Sequence, residues 1–325
     1  MEVKNNCPFC ILGCEYSCKK ELKYKNCSDL NYHLDNFSRN SFPLIKGKKV
    51  SFDDAINKVI DLSSTCNGIH LDGLGCDYTG LKSIFNFAEE HRTSLDHMEG
   101  ENISNLNIIS QRIGGNFCSL GEVYKRSDLI FFSLKDMEIS KIFVEFLNKS
   151  KKKRKLIIIS DKKNTEISNV TYITKKEFLD LNKNLNSKNN FEGIKKEISH
   201  YISCSKFVTF ICTFNSQQNF TRQIFRFVKS INDSNQRASI LPINGKNNIS
   251  GAIQYSLWKT GYPLRIQFTD VGVEYNPVEL KSEFISKTKE LQIYISCFDY
   301  KRNIGMFKKN IFIGNPFLKN KKFFD

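Results

Sequence analysis

The residues best suited to chemistry stand near the start of the sequence. Five of the eleven cysteines fall in the stretch CPFCILGCEYSCKKELKYKNC, from Cys7 to Cys27. Cys7, Cys10, Cys14 and Cys27 have the spacing C-x2-C-x3-C-x12-C. The two short intervals bring three thiolates round one face of a tight turn, and the longer return lets a fourth close a tetrahedral set. Four cysteine sulfurs about a compact core suit an iron–sulfur cluster. Zinc also accepts four thiolates, but its ribbons usually repeat a C-x2-C pair, and no second pair exists here. Cys18 competes with Cys27 for the fourth place. A disulfide framework would need a secreted protein, which nothing in the sequence indicates. The clustering of the cysteines instead points to the reducing cytoplasm.

Two further groups of residues could do chemistry. Gly73, Gly75 and Gly80 read G-x-G-x4-G between a short strand and a helix, two residues longer than the dinucleotide fingerprint. Such glycines let a phosphate approach backbone N–H groups at a helix start. A tight strand-to-helix turn explains them at least as well. Cys76, in the same loop, is either a reactive thiol or a small apolar side chain. Asp96, His97 and Glu99 lie together in SLDHMEGEN. A carboxylate beside an imidazole can serve acid–base chemistry or bind a metal, although three polar groups on a loop are more often plain surface. His33, His70, His91 and His200 are scattered. No G-x-S-x-G elbow, H-E-x-x-H pair or P-loop is present. The single tryptophan, Trp258, precedes a run of turns marked by Gly261, Pro263, Gly272 and Pro277, where aromatic residues usually plug gaps between layers.

The elements that must position these residues alternate in type. Ser51 followed by an acidic first turn and apolar positions Ala55, Ile56, Val59 and Ile60 predicts an amphipathic helix. GIHLDGLG and the segment from about Thr79 to His91 predict a strand, a glycine loop and a helix, the opening of a Rossmann-type unit. DLIFFSL, KLIIIS, KFVTFIC, RASILPI, LRIQF, LQIYIS and KNIFIG read as strands, several of them apolar enough for a buried parallel sheet. ISKIFVEFLNKS, FEGIKKEISHYIS and QQNFTRQIFRFVKSIN read as helices between them. The expected fold is therefore α/β, with Rossmann-like layers. Pro43 and Gly47 end a cysteine-rich segment over 1–45, and the asparagine-rich stretch near 182–190 separates a first α/β domain (46–185) from a second (190–325).

Composition narrows the function classes. The 325 residues suffice for two α/β domains and an appendage, and 40% are apolar. No run approaches the roughly 18 to 20 apolar residues of a membrane helix, and the amino terminus lacks a signal-peptide core. The net charge of +15 suggests nucleic acid at first sight. The lysines are spread along the chain, however. Their one dense run, Lys151 to Lys155, directly precedes an apolar strand, as a solvated loop does. A basic surface facing an acidic partner subunit fits better than nucleic acid.

Four stretches in order resemble the B-type subunit of formylmethanofuran dehydrogenase and, more closely, its counterpart in the formyltransferase/hydrolase complex of methylotrophic bacteria. They are CPFCILGC, GLGCDYTGLKSIFNFAEEHRTSLDH, QRIGGNFCSLGEVYKRSDLIFF, and WKTGYPLRIQF through EYNPVEL. The family is related to molybdopterin oxidoreductases. The resemblance implies a [4Fe-4S] cluster at Cys7, Cys10, Cys14 and Cys27. It also places Gly73 and Gly75 in a loop near the pterin dinucleotide of the redox members. Those members carry a metal-ligating cysteine or selenocysteine before the SLGEV region. Here that loop contains no cysteine, and His97 is a poorer donor to high-valent tungsten than a thiolate. The sequence also ends soon after IFIGNPFLKN, where redox members continue into a segment that encloses the pterin. The resemblance thus implies a non-redox subunit with no catalytic residue of its own and no tungsten or molybdenum pterin. Its partners would be an amidohydrolase-type formylhydrolase subunit, a formyltransferase subunit and the C-type subunit, in tetrahydromethanopterin-linked one-carbon metabolism. Two alternatives remain open. One is an active dehydrogenase that uses His97 or Cys118 as an unusual metal ligand; the other is a zinc-stabilised basic binding module.

Overall fold

The computed structural model describes residues 4–7, 11–13, 15–17, 27, 30–31, 42–134, 137–162, 167–184, 192–214, 218–243, 245–298 and 306–314. The chain divides into two compact units. One comprises residues 1–24, 28–101 and 245–325; the other comprises 25–27 and 102–244. The division is not the run of consecutive domains read from the sequence, because most of the second unit is inserted in the chain of the first.

The first unit opens with two short antiparallel pairs, β1 (Lys4–Asn6) with β2 (Glu15–Ser17) and β3 (Leu44–Ile45) with β4 (Lys48–Lys49). Helix α1 (Phe52–Thr65) follows. The Ser51 hydroxyl accepts the N–H of Asp54, and Asp53 and Asp54 in the first turn oppose the positive end of the helix dipole. Strand β5 (Ile69–Gly75) is buried along its whole length, including its polar residues His70 and Asp72, as a central strand between β6 and β14 must be. The Asp77 side chain caps α2 (Tyr78–Glu90), and β6 (Ser94–Leu95) lies parallel to β5.

Helix α3 (Gly100–Ile113) leads into the second unit, whose α4 (Leu120–Arg126) begins with a full capping box between Ser119 and Glu122. Strands β7 (Leu129–Ser133), β8 (Lys155–Ile159) and β9 (Thr171–Ile173) alternate with α5 (Met137–Asn148) and α6 (Lys175–Asn184). Helix α7 (Gly193–Cys204), β10 (Phe207–Thr213), α8 (Gln218–Asp233) and β11 (Arg237–Ile243) complete the unit. The sheet is all parallel, in the order β11-β10-β7-β8-β9. Read along the chain, this is the order 3-2-1-4-5, five strands of the doubly wound Rossmann sheet. Its core is aromatic: Phe131 and Phe210, neighbours in register, stack at 4.6 Å, and Phe178 and Phe227 meet Phe210 edge-on.

The chain then returns to the first unit through α9 (Ile249–Thr260), β12 (Ile266–Thr269), β13 (Gly272–Tyr275), the short α10 (Ser282–Ile285), β14 (Leu291–Ser296) and β15 (Lys309–Gly314). The resulting mixed sheet has the order β13-β12-β6-β5-β14-β15. Parallel pairing of β14 with β5, from Leu291↔Ile69 to Ser296↔Gly75, joins the two distant parts of the chain. The layered α/β fold expected from the sequence is present.

Asp128 ties three strands of the second unit together at their starts. Its carboxylate accepts the N–H groups of Lys206 and Phe207 at 2.9 and 3.0 Å and pairs with Lys152 at 2.8 Å. Burial raises the carboxyl pKa, but the Lys152 and backbone hydrogen bonds outweigh it, so the group is held below the ordinary aspartate range. Its stabilising contribution is therefore complete above the unfolded-state pKa of about 3.9 and is lost as pH falls through the lower folded value. Urea unfolding between pH 6 and pH 3 should show a steeper acid loss in the wild-type chain than in Asp128→Asn, which starts less stable and changes less.

Candidate functional site

Strand β5 lies between β6 and β14, so the chain leaves it on one side and returns on the other. Open α/β sheets bind ligands beyond the carboxyl ends of their strands at such a switch point. Four stretches meet there. Asp96 N–H donates to Leu71 O at 3.0 Å and Met98 N–H to Gly73 O at 3.3 Å. Cys297 N–H donates to Gly75 O at 2.7 Å, and the Asn248 side chain donates to Cys76 O at 2.7 Å. The structure thus gathers Gly73, Gly75, Cys76, Asp96, His97 and Glu99, which the sequence singled out separately.

Asp96 is fully buried and lies against Arg265, itself only 4% exposed. Arg265 Nε donates to Asp96 Oδ1 at 3.3 Å, while Asp96 Oδ2 accepts the backbone N–H and hydroxyl of Ser282, both at 3.3 Å. The remaining arms of the guanidinium reach Pro277 O at 2.6 Å and Glu101 Oε2 at 3.0 Å. Burial raises the Glu101 pKa, but the hydrogen bond and charge of Arg265, with Lys281, outweigh it and hold the carboxyl below its ordinary value. Arg265 has φ of 64°, a left-handed conformation that costs a non-glycine residue about 1–3 kcal/mol. Gly100 gives the pair its room: a Cβ there would stand 2.3 Å from Asp96 Oδ1.

Both ring nitrogens of His97 are committed. Glu99 N–H donates to Nδ1 at 3.0 Å, so Nδ1 presents its lone pair to the backbone. Nε2 lies 3.1 Å from Asn247 O, which can only accept, so Nε2 carries the proton. The ring is a neutral Nε2–H imidazole, fully buried, that clamps the 96–99 loop to the 245–248 loop. Beneath it, His70 bridges Ser94 at 2.8 Å and Ser282 at 3.0 Å, and stacks on Phe307 at 5.5 Å. Asp72 accepts Gly73 N–H at 2.7 Å and the Gln292 side chain at 2.9 Å.

The glycines face the chain's own atoms. Gly73 has φ of 83°, and a Cβ there would meet Ile295 O at 2.6 Å. At Gly75 it would meet Ser296 Oγ at 2.9 Å and the Met98 methyl at 3.0 Å. The close approach that removes their side chains is that of β14 and its following turn, and these residues do not offer the open cradle a pterin phosphate needs. The thiol of Cys76 is pushed up to about 12, first by burial, then by Cys297 and Asp77. Such a group stays protonated and unreactive.

The other candidates stand apart. Cys118 belongs to the second unit, where its N–H pairs with Ile240 O at 3.0 Å. Burial pushes its thiol up to about 12, Glu122 adds to the rise, and Arg237 and Thr209 oppose it. His91 and His200 are exposed. Of the cysteine-rich set, Cys7 is buried after β1 and Cys27 is half-buried, while Cys10, Cys14 and Cys18 lie outside the described residues. Among the described residues no three His, Cys, Asp or Glu side chains are grouped to hold a metal, and no helix is long and apolar enough to cross a membrane. Arg265, Ser282, Asn247 and Gln292 escape a reading of the sequence. The one available signal is a charged residue inside the apolar run LRIQF.

No protein-family model matches the chain, and no curated protein matches it. Its fold is similar to that of a chain in the X-ray crystal structure of the formyltransferase/hydrolase complex from Methylorubrum extorquens in complex with methylofuran. The TM-score is 0.76 at 15% identity, covering 85% of this chain and 82% of that chain. The likeness is one of fold.

Removing Arg265 would leave the Asp96 carboxylate buried without its counter-ion. Arg265→Met should lower unfolding stability by about 3–5 kcal/mol in denaturant titrations, and Asp96→Asn in the same chain should recover much of the loss. An unchanged midpoint in Arg265→Met would show that the pair does not hold the loop.

Proposed function

We propose that this chain is the B-type scaffold subunit of a complex of the formyltransferase/hydrolase kind, with no redox centre of its own. In this reading it serves tetrahydromethanopterin-linked one-carbon metabolism. The formyl group passes to a methanofuran-like carrier, and an amidohydrolase-type partner releases formate. Catalysis lies on the formyltransferase and formylhydrolase subunits, and this chain supplies surface that holds them with the C-type subunit. The fold likeness to a chain of such a complex supports the setting. The commitment of His97 supports the absence of redox chemistry, and it carries the reading. In the loop where the redox relatives place a metal ligand, the one imidazole present donates from Nε2 and accepts at Nδ1 within the protein. A metal bond to either nitrogen would break one of these buried hydrogen bonds.

The four-cysteine set Cys7, Cys10, Cys14 and Cys27 has the donor chemistry for a [4Fe-4S] cluster. In a chain without a redox centre, such a cluster would tie the amino-terminal segment to the α/β core.

The test is metal and labile-sulfide analysis of the anaerobically purified complex, with viologen-linked formate oxidation measured alongside. The expected result is about four iron and four sulfide per chain, neither tungsten nor molybdenum, and no formate oxidation. Tungsten or molybdenum near one per chain, with formate oxidation lost in His97→Ala, would replace the scaffold reading by an active dehydrogenase.

A further inference from the structure

The parallel strands of the second unit begin at one end of its sheet, where helices α4, α5 and α7 finish. Three loops meet at this end around Asp128. Lys152 Nζ pairs with its carboxylate at 2.8 Å and also donates to Arg126 O. Lys206 N–H donates to the same carboxylate at 2.9 Å, and Lys155 N–H donates to Asp128 O at 2.8 Å. Asp128 thus brings the 125–128, 149–155 and 204–206 loops side by side. The dense basic run splits here. Lys152, Arg154 and Lys155 turn inward: Arg154 donates to Tyr124 O at 2.9 Å and Ser150 Oγ at 3.0 Å, and Lys155 meets Glu197 at 3.5 Å. Lys151 and Lys153 stand exposed.

Lys125, Lys151, Lys153 and Lys206 are all exposed and in no ion pair among the described residues. Three acids of this end are already engaged. Asp128 takes Lys152, Glu197 takes Lys155, and Glu122 takes Arg237 at 3.0 Å and Arg126 at 3.8 Å. The exposed Asp233 stands at the end of α8, ahead of the edge strand β11. Four like charges on neighbouring loops repel one another, a cost that opposite charge from outside relieves. The aromatic rings here are not open to bases. The Arg154 guanidinium lies 5.9 Å over the Tyr124 ring, and the Lys155 ammonium 4.6 Å over the Tyr201 ring. A single-stranded nucleic acid needs free rings to stack on, so the face suits carboxylates on a protein surface better.

We infer that this end of the second unit docks an acidic face of a partner subunit, whose Asp and Glu side chains meet Lys125, Lys151, Lys153 and Lys206. An ion-paired contact of this kind sets association rate and partner choice, and it weakens as salt rises. The inference rests on the scaffold reading in that a partner subunit exists.

Carbodiimide coupling of the assembled complex, which joins a lysine to a carboxylate in direct contact, tests it together with charge reversal. Mass spectrometry should find Lys151, Lys153 or Lys206 joined to Asp or Glu of a partner subunit. Lys151→Glu/Lys153→Glu/Lys206→Glu should weaken assembly about tenfold and flatten its salt dependence, with an unchanged thermal midpoint of the isolated full chain. Should the midpoint fall, the coupling result on the wild-type complex decides alone. Lys151→Arg/Lys153→Arg/Lys206→Arg, which keeps the charge, should assemble normally. If no partner carboxylate couples to these lysines, or the stably folded reversed-charge chain assembles normally, the docking inference fails and the scaffold reading stands. If they couple to partners that lack formyltransferase and formylhydrolase activity, the scaffold reading fails and the docking face stands. A chain that is monomeric in its native extract overturns the docking inference. So does binding of RNA or duplex DNA at about 0.15 M salt that is lost on charge reversal.

Discussion

The buried pair of Asp96 and Arg265 is the constraint on which the first unit depends. A carboxylate and a guanidinium removed from water cost several kcal/mol each unless every donor and acceptor finds a partner. Here they do. Asp96 takes Arg265, the His97 N–H and both donors of Ser282; Arg265 takes Asp96, Glu101 and Pro277 O. Meeting these demands fixes the loop after β6, the start of α3, the β12–β13 hairpin and the start of α10 with respect to one another. It also explains the left-handed backbone at Arg265 and the missing side chain at Gly100. Partially satisfied, such a network would be worse than an apolar core.

The same economy governs the place where an α/β fold usually keeps its ligand. The carboxyl end of β5 has the glycines, the histidine and the carboxylates of an active site, yet each is turned to the protein's own needs. Gly73 and Gly75 make way for β14 and the turn after it, His97 joins two loops, and Asp72 and Asp96 accept from neighbouring side chains and backbone. These inward hydrogen bonds support the scaffold role proposed for the chain.

Much of this is legible in the sequence. Apolar runs such as LIFF, LIII and VTFIC suit buried parallel strands, and the Ser51 start signal places α1 to within a residue. The glycine loop, for which a tight turn was the stronger expectation, is one. The division of the chain is not legible, because pairing of β5 with β14 is a contact across more than 200 residues that no local pattern records. Asp96, His97 and Glu99 look like surface. Their burial follows from Arg265, about 170 residues away, and a charge hidden in an apolar strand reveals its partner only in three dimensions. Helices α3 and α9 also escape notice: α3 has glycine, asparagine and serine in its first turns, and α9 leads into the aromatic turn region that draws attention to Trp258.

The protonation state of one ring, that of His97, decides between a structural clamp and a site open to chemistry. With only five histidines in the chain, a long-range proton–nitrogen correlation spectrum of the histidine-labelled protein can resolve it. The geometry predicts a neutral ring at pH 7, protonated on Nε2, with Nδ1 an unprotonated hydrogen-bond acceptor. A proton on Nδ1, or a ring protonated on both nitrogens, would contradict the backbone clamp and reopen His97 as a residue available for chemistry.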